Sequence, residues 1–332
     1  MKNKISIVFT ARNDNYGGNL LERINALIRV LVDMTNKYKS PIELIIVEYN
    51  PPLGEKMLYE ILRVKDNKYL KVRFIIFPPK LHNLFPNSDR VKLFEYTAKN
   101  IGVRRATGDY IISTNQDILF SEQFIKFLTT AQLDKNTFYR TNRTDVNLKL
   151  DSTSLSAKEI LRKCERRAYL SKTMSGDKFV KLLSIASMTA MFKNIVYLVY
   201  MFFYGLFDSR FRKAKIHSHR YHIFAAGDFL MMSKEAWGKI RGYDETKEGN
   251  DYLDGYILFV AGCFGYKQEI IPFNMYHIDH LMSKMGRPSV NYFDFVRNCN
   301  SMLRTKKPYK RNSANWGHRN IKLKEFVIPS VR

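Results

Sequence analysis

Short runs of β-branched and aromatic residues alternate with stretches of helical periodicity through the first half of the chain. That alternation restricts the fold to α/β architectures built from βαβ units around a mostly parallel sheet. The run ISIVFTA from Ile5 reads as a first strand. Leu20, Leu21, Ile24, Leu27, Ile28 and Leu31 recur at helical spacing after the Gly17-Gly18 turn, so a helix with one buried face follows. ELIIVEY from Glu43 is the second strand, ended by Pro51-Pro52, and Met57 to Val64 reads as a helix. KVRFIIF from Lys71 is a third strand, stopped by Pro78-Pro79. RVKLFEYTAKNIGVRRATG is helix-like up to Gly108, DYIISTNQD is a strand with an acid at its carboxyl end, and SEQFIKFLTTAQ is a helix capped by Ser121. The lysines ahead of the first apolar run resemble a secretory signal only superficially, because the run is short and breaks into Arg12, Asn13 and Asp14.

The rhythm is interrupted from Leu148 to about His222, which divides the chain into four segments: 1–147, 148–222, 223–290 and 291–332. The second holds a charged helical piece around Ile160 to Tyr169 and an apolar piece from Leu182 to Phe207. Lys193 would sit near the centre of any span there, at about 2.5 to 3.5 kcal/mol, so an interfacial helix is the better expectation, with a buried core helix as the alternative. Tyr197, Tyr200 and Tyr204 share one face of it, and Arg210, Arg212, Lys213 and Lys215 follow directly. The fourth segment is a basic tail. With 55 Lys+Arg against 31 Asp+Glu the net charge is +24, so anionic partners are expected, including an anionic membrane surface. Cys164, Cys263 and Cys299 are odd in number and far apart, which argues against a disulfide framework or a thiolate zinc site.

In open α/β sheets, ligands bind beyond the carboxyl ends of the strands. Three such ends carry polar clusters: Thr10-Ala11-Arg12-Asn13-Asp14, Glu48-Tyr49-Asn50 and Asn115-Gln116-Asp117. An acid after an apolar strand can bind a nucleobase or ribose, and one at the adjacent edge can hold a divalent metal against a diphosphate. Asp117, at a strand end, is expected to be exposed. YHIDH at 276–280 adds His277, Asp279 and His280 after another apolar run, an oxygen-and-imidazole set suited to Mn2+ or Mg2+.

The segment YTAKNIGVRRATGDYIISTNQDILFS resembles the A-x-N-x-G-x-x-x-A-x-G stretch and Asp-x-Asp motif of family-2-like glycosyltransferases of the GT-A fold. Ala98, Asn100, Gly102, Ala106, Gly108 and Asp117 fall on the pattern, while Asn115 replaces the first acid. AAGDFLMMSKEAWGKIRGYDE is similar to the acceptor-side segment of the same enzymes, where Gly227-Asp228 closes the sugar pocket and Trp237 packs a helix. The two stretches cover about residues 4 to 130 and 223 to 280.

The resemblance implies a Rossmann-like nucleotide-binding half joined to an acceptor half, with a helical, apolar insertion and a basic C-terminal tail. It implies transfer of a sugar from a nucleotide sugar, UDP by expectation, with inversion; the apolar, tyrosine-bearing piece and the basic residues add the expectation of a glycan or lipid-linked glycan acceptor and a place in the cytoplasm at the inner membrane face. Thr10, Arg12, Asn13 and Glu48 would hold the nucleotide, and Asn100 and Arg104 its phosphates or the donor sugar. Asn115 joins this donor-binding set. Asp117 with His277 or His280 would hold the metal. The base that deprotonates the acceptor is Asp254 or Asp251: an apolar helix anchors the former, and the latter could cap that helix.

Two rival classes are a nucleotide-fold protein without catalysis that uses its positive surface on RNA or DNA, and a sugar nucleotidyltransferase. No RNA-binding or zinc motif supports the first, so nucleic acid is not an expected partner. Gly17-Gly18 lacks the glycine-rich loop and following cation of the second. Nothing in the sequence specifies an oligomeric state.

Overall fold

A computed structural model of the chain describes residues 3–62, 64–148, 155–167, 220–245, 252–280 and 292–328. The first half runs β1 (Ile5–Ala11), α1 (Leu20–Tyr38), β2 (Ile42–Tyr49), α2 (Leu58–Ile61), β3 (Leu70–Phe77), α3 (Pro79–His82), α4 (Glu95–Arg105), β4 (Tyr110–Thr114), β5 (Ile118–Phe120) and α5 (Glu122–Thr130). After it come β6 (Thr137–Val146), α6 (Ala157–Arg167), β7 (Phe229–Ser233), α7 (Lys234–Ile240), α8 (Leu253–Cys263), β8 (Lys267–Ile278), α9 (Tyr292–Thr305), a 3-10 turn (Trp316–His318) and β9 (Lys324–Ile328). One nine-stranded sheet, ordered β5-β8-β6-β7-β4-β1-β2-β3-β9, runs through both halves of the chain. β3, β2, β1 and β4 are parallel, as the βαβ alternation requires, and β7 joins them antiparallel to β4.

Period-two alternation decides which helix covers which face. Ile5, Ile7 and Phe9 of β1 point into a core shared with Leu20, Ile24, Leu27 and Leu31 of α1. Val8 points to the other core, where Ile101 and Val103 of α4 and most of α8 are buried. Helices α1 and α4 therefore lie on opposite faces, and the chain changes face between β1 and β4. The crevice of a doubly wound sheet opens at such a switch point, beyond the strand ends.

The glycine-bearing segment works through close packing. A Cβ on Gly102 would sit 2.4 Å from Val8 Cγ1, so only glycine lets α4 settle onto β1. A Cβ on Gly108 would sit 2.6 Å from the Ser6 backbone nitrogen. Ser121 caps α5, its Oγ accepting from Phe124 N at 3.2 Å, as expected.

Several elements differ from the sequence reading. The helix expected over 57–64 is confined to Leu58–Ile61, and α4 begins at Glu95 rather than at Arg90. The charged helical piece is α6, which buries Ile160, Leu161 and Cys164. The basic tail is built largely into the body. Phe295, Val296, Cys299 and Met302 of α9 are buried beside α8, Trp316 is 2% exposed, and β9 extends the sheet antiparallel to β3. The apolar stretch Leu182–Phe207 and Asp251 lie outside the described residues. Among the described residues, no helix is long and apolar enough to cross a membrane.

Candidate metal and donor site

Asp117 sits in the turn between β4 and β5, and β5 pairs antiparallel with β8 so that Ile118 faces His277. The register is locked from the Asp117 side as well, because its carbonyl accepts from Ile278 N at 2.9 Å. Two imidazoles are thereby brought to one carboxylate: His280 Nε2 lies 2.9 Å from Asp117 Oδ2, and His277 Nε2 lies 3.8 Å from the same oxygen. The loop after β1 closes the other side. Tyr16 packs edge-on against His280 with ring centroids 5.3 Å apart, and a Cβ on Gly17 would fall 2.5 Å from His280 Nδ1.

Asp117 is 2% exposed, against the expectation of an exposed strand end. β5 and β8 bury its side chain as the sheet continues past it. Burial alone would raise its carboxyl, but the His280 hydrogen bond and the charges of His277, His280 and Arg23 hold it below the ordinary aspartate value. Its Oδ1 is buried with no hydrogen-bond partner among the described residues. An unpartnered buried carboxylate oxygen costs free energy unless something positive meets it. The ligand atoms of Asp117, His277 and His280 all lie within 4.8 Å of one another, close enough to share one divalent cation. The donor set thus fits the metal expected from the sequence.

Asn115 explains itself in this setting. Its Oδ1 accepts from Lys99 Nζ at 2.6 Å, and its Nδ2 donates to Asp228 Oδ1 at 2.8 Å. An aspartate here would set a second carboxylate against Asp228. Lys99, fully buried, directs its remaining donors to Glu95 Oε1 at 2.7 Å and the Gly227 carbonyl at 2.8 Å. Asp254, in the first turn of α8, is drawn into the same cluster, because its Oδ2 accepts from Gly227 N at 2.8 Å and its Oδ1 from Gly255 N at 2.9 Å. Burial pushes the Asp254 carboxyl above its ordinary value, with the two backbone hydrogen bonds and Arg140 opposing.

The other residues expected to bind the donor divide sharply. Arg12 and Asn13 remain partly exposed beyond β1: Arg12 Nε donates to Asn50 O at 2.7 Å, its Nη1 pairs with Asp14 at 2.6 Å, and Asn13 Nδ2 donates to Lys56 O at 2.8 Å. Thr10 is buried and donates to Val47 O at 3.0 Å. Glu48 is fully buried, and both carboxylate oxygens accept from Leu58 N, at 3.0 and 2.9 Å. Asn100 is also fully buried and pins the turn after α7: its Nδ2 donates to Tyr243 O at 2.8 Å and its Oδ1 accepts from Tyr243 N at 2.8 Å. Arg104 stacks over the Trp316 ring at 4.8 Å. Because α4 runs antiparallel to the strands it packs on, Arg104 is carried about 14 Å along the helix from Glu95, toward the amino ends of the sheet. These last four residues shape the fold rather than the crevice.

Sequence reasoning missed Lys99, Arg143 and Asp145. Arg143 Nη1 lies 2.6 Å from Asp228 Oδ2 and its Nε 2.9 Å from Asp145 Oδ1. Residues 140–145 of β6 form an uninterrupted polar run, so nothing in its spacing separates one face of the strand from the other.

No protein family's profile and no curated protein sequence matches this chain. Among solved structures it is similar to the catalytic domain of Drosophila β1,4-galactosyltransferase 7 in complex with xylobiose, at 10% identity, with 93% of this chain and 82% of that one covered and a TM-score of 0.41. It is also similar to GalNAc-T7 with UDP, GalNAc and Mn2+, at 13% identity, 90% and 48% coverage and a TM-score of 0.48. The chain spans about half the length of the latter.

Proposed function

We propose that this protein is a GT-A glycosyltransferase that moves a sugar from a nucleotide sugar to an acceptor hydroxyl. The observation that carries this reading is the buried Asp117 carboxylate at the carboxyl edge of a doubly wound sheet: two imidazoles approach its Oδ2, and its Oδ1 has no hydrogen-bond partner among the described residues. Asp117, His277 and His280 would hold a divalent cation, and two imidazoles beside one carboxylate favour Mn2+ over Mg2+. When bound, that cation would neutralise charge on a diphosphate leaving group.

The chain's own residues supply the rest. Arg12 and Asn13 would contact the nucleotide, a role that their partial exposure past β1 supports. Asp254 is the proposed base: it takes the acceptor proton as the hydroxyl oxygen bonds to the sugar C1 and the bond from C1 to the diphosphate oxygen breaks. A carboxyl held above its ordinary value is better matched to that task at neutral pH than a free one. Attack from the face opposite the leaving group gives inversion.

We take UDP as the nucleotide and a glycan or lipid-linked glycan as the acceptor. The apolar, tyrosine-bearing stretch 182–207 with its basic flank supports attachment to the anionic inner face of a membrane from the cytoplasm. The test is a thermal-shift screen of UDP-, GDP- and CMP-sugars with and without Mn2+. A ligand present at about 100 times its Kd stabilises by about 2.7 kcal/mol. Stabilisation by one nucleotide class that requires Mn2+ is expected, and stabilisation by none would refute the reading.

A further inference from the structure

Asp145 lies beside the proposed cation site without belonging to its ligand set. We infer that Asp145 is a positioning residue: its carboxylate accepts the Nδ1 proton of His277 and so fixes the tautomer whose Nε2 lone pair is turned toward Asp117. The inference rests on the reading of Asp117, His277 and His280 as a cation site.

The juxtaposition is built by an irregularity in the sheet. β6 and β8 are parallel, with Thr137 opposite Lys267, but the register shifts between Thr141 and Arg143, and β8 gains two residues on β6 there. Pro272 lies in this stretch of β8, where a residue without an N–H is tolerated because the ladder is already broken. After the shift Asp145 is opposite His277. Without it, His277 would face the chain beyond β6.

The chemistry then follows from what each group can do. An ionised carboxylate only accepts, so the 3.1 Å contact between Asp145 Oδ1 and His277 Nδ1 requires the proton on Nδ1. A neutral ring protonated at Nδ1 has its lone pair at Nε2, the nitrogen 3.8 Å from Asp117 Oδ2. Asp145 is itself held. It is 4% exposed, and Arg143, whose guanidinium also grips Asp228, approaches the same Oδ1 at 2.9 Å. Asp145, His277 and Asp279 also stand close enough to hold a cation. The guanidinium on Oδ1 opposes a second positive charge there, which favours positioning over ligation for Asp145. Through Arg143 and Asp228 the orientation of His277 is tied to Asn115 and Lys99.

The test compares Asp145→Asn and Asp145→Leu in the full chain. Ring 15N NMR shifts of His277, recorded without metal above the imidazole titration range, report which nitrogen carries the proton, and calorimetry with Mn2+ alone reports affinity. The wild-type chain is expected to show the Nδ1-protonated form. Asp145→Leu should lose that preference and bind Mn2+ about 10 to 100-fold more weakly. Asp145→Asn, whose amide oxygen can accept the same proton, should stay within a few-fold of wild type on both readouts. Should the leucine disturb β6, Asp145→Ser, whose hydroxyl is too short to reach Nδ1, makes the same comparison. An unchanged tautomer and affinity in the leucine or serine variant overturns the inference. So does an asparagine variant as impaired as the leucine one, which would make Asp145 a ligand. If the wild-type chain binds no Mn2+, the cation reading falls, and the metal-free tautomer comparison still decides the role of Asp145.

Discussion

Glu48 offers a prediction that depends on the fold alone. Its carboxyl is sealed at the end of β2, where burial pushes it up to about 7 from 4.5, against the Leu58 hydrogen bond and with Glu60 adding to the rise. Between those two values the folded chain holds a proton that the unfolded chain has released, so stability falls as pH rises from about 4.5 to about 7 and is level above that. At 1.36 kcal/mol per pH unit the loss amounts to roughly 3 kcal/mol. Glu48→Gln keeps an acceptor for Leu58 N and removes the titration. Urea unfolding of both proteins at half-unit steps from pH 4.5 to 8 isolates this group, because carboxyls that do not interact with Glu48 cancel in the difference and among the described carboxyls Glu60 alone is coupled to it. The stability of wild type relative to Glu48→Gln is expected to decline by about 3 kcal/mol across that window with an unchanged m-value. A difference that is flat with pH, or that rises, would refute the burial argument.

Asp254→Asn should retain donor binding by thermal shift and lose transfer to the acceptor. Transfer at the wild-type rate would remove Asp254 as the base and return the role to Asp251. Replacing the buried cation in Lys99→Met leaves Glu95, Asn115 and the Gly227 carbonyl without their donor, and should cost about 3 kcal/mol in urea unfolding; a cost below about 1 kcal/mol would show that the network is not coupled. Vesicle flotation should show binding to anionic liposomes that weakens with salt, and Phe202→Ser with Phe203→Ser and Phe207→Ser should reduce it at every salt concentration. Indifference of the wild-type chain to anionic vesicles would refute the membrane expectation.

What the sequence disclosed is what local periodicity encodes. β1 to β4, α1 and α5 were legible because apolar residues recur at two or at 3.6, and Asp117 was legible because an acid ends an apolar strand. His277 and His280 were legible as a spaced pair after another such run. The failures share one cause: position along an element does not say which way a side chain points or which end of the sheet it reaches. Glu48 and Asp14 look alike as acids past a strand, yet Glu48 is fully buried and Asp14 exposed. Asn100 and Arg104 fall on a motif that serves packing, one bonded to Tyr243 and the other on Trp316. β6 was missed because it carries Arg143 and Asp145, whose partners beyond each other, Asp228 and His277, are distant in the chain. No local pattern foretells those partners.

The central claim is that Asp117 anchors a divalent cation at the switch point of the sheet. It is tested most directly by Mn2+-dependent hydrolysis of UDP-sugars in wild type and Asp117→Asn, with melting curves recorded on the same samples. The asparagine preserves size and can still accept from His280. The account predicts that hydrolysis and its Mn2+ dependence are lost while the variant still melts cooperatively, at a somewhat lower temperature because the buried carboxylate no longer meets its cationic neighbours. Undiminished Mn2+-dependent hydrolysis in Asp117→Asn would contradict it.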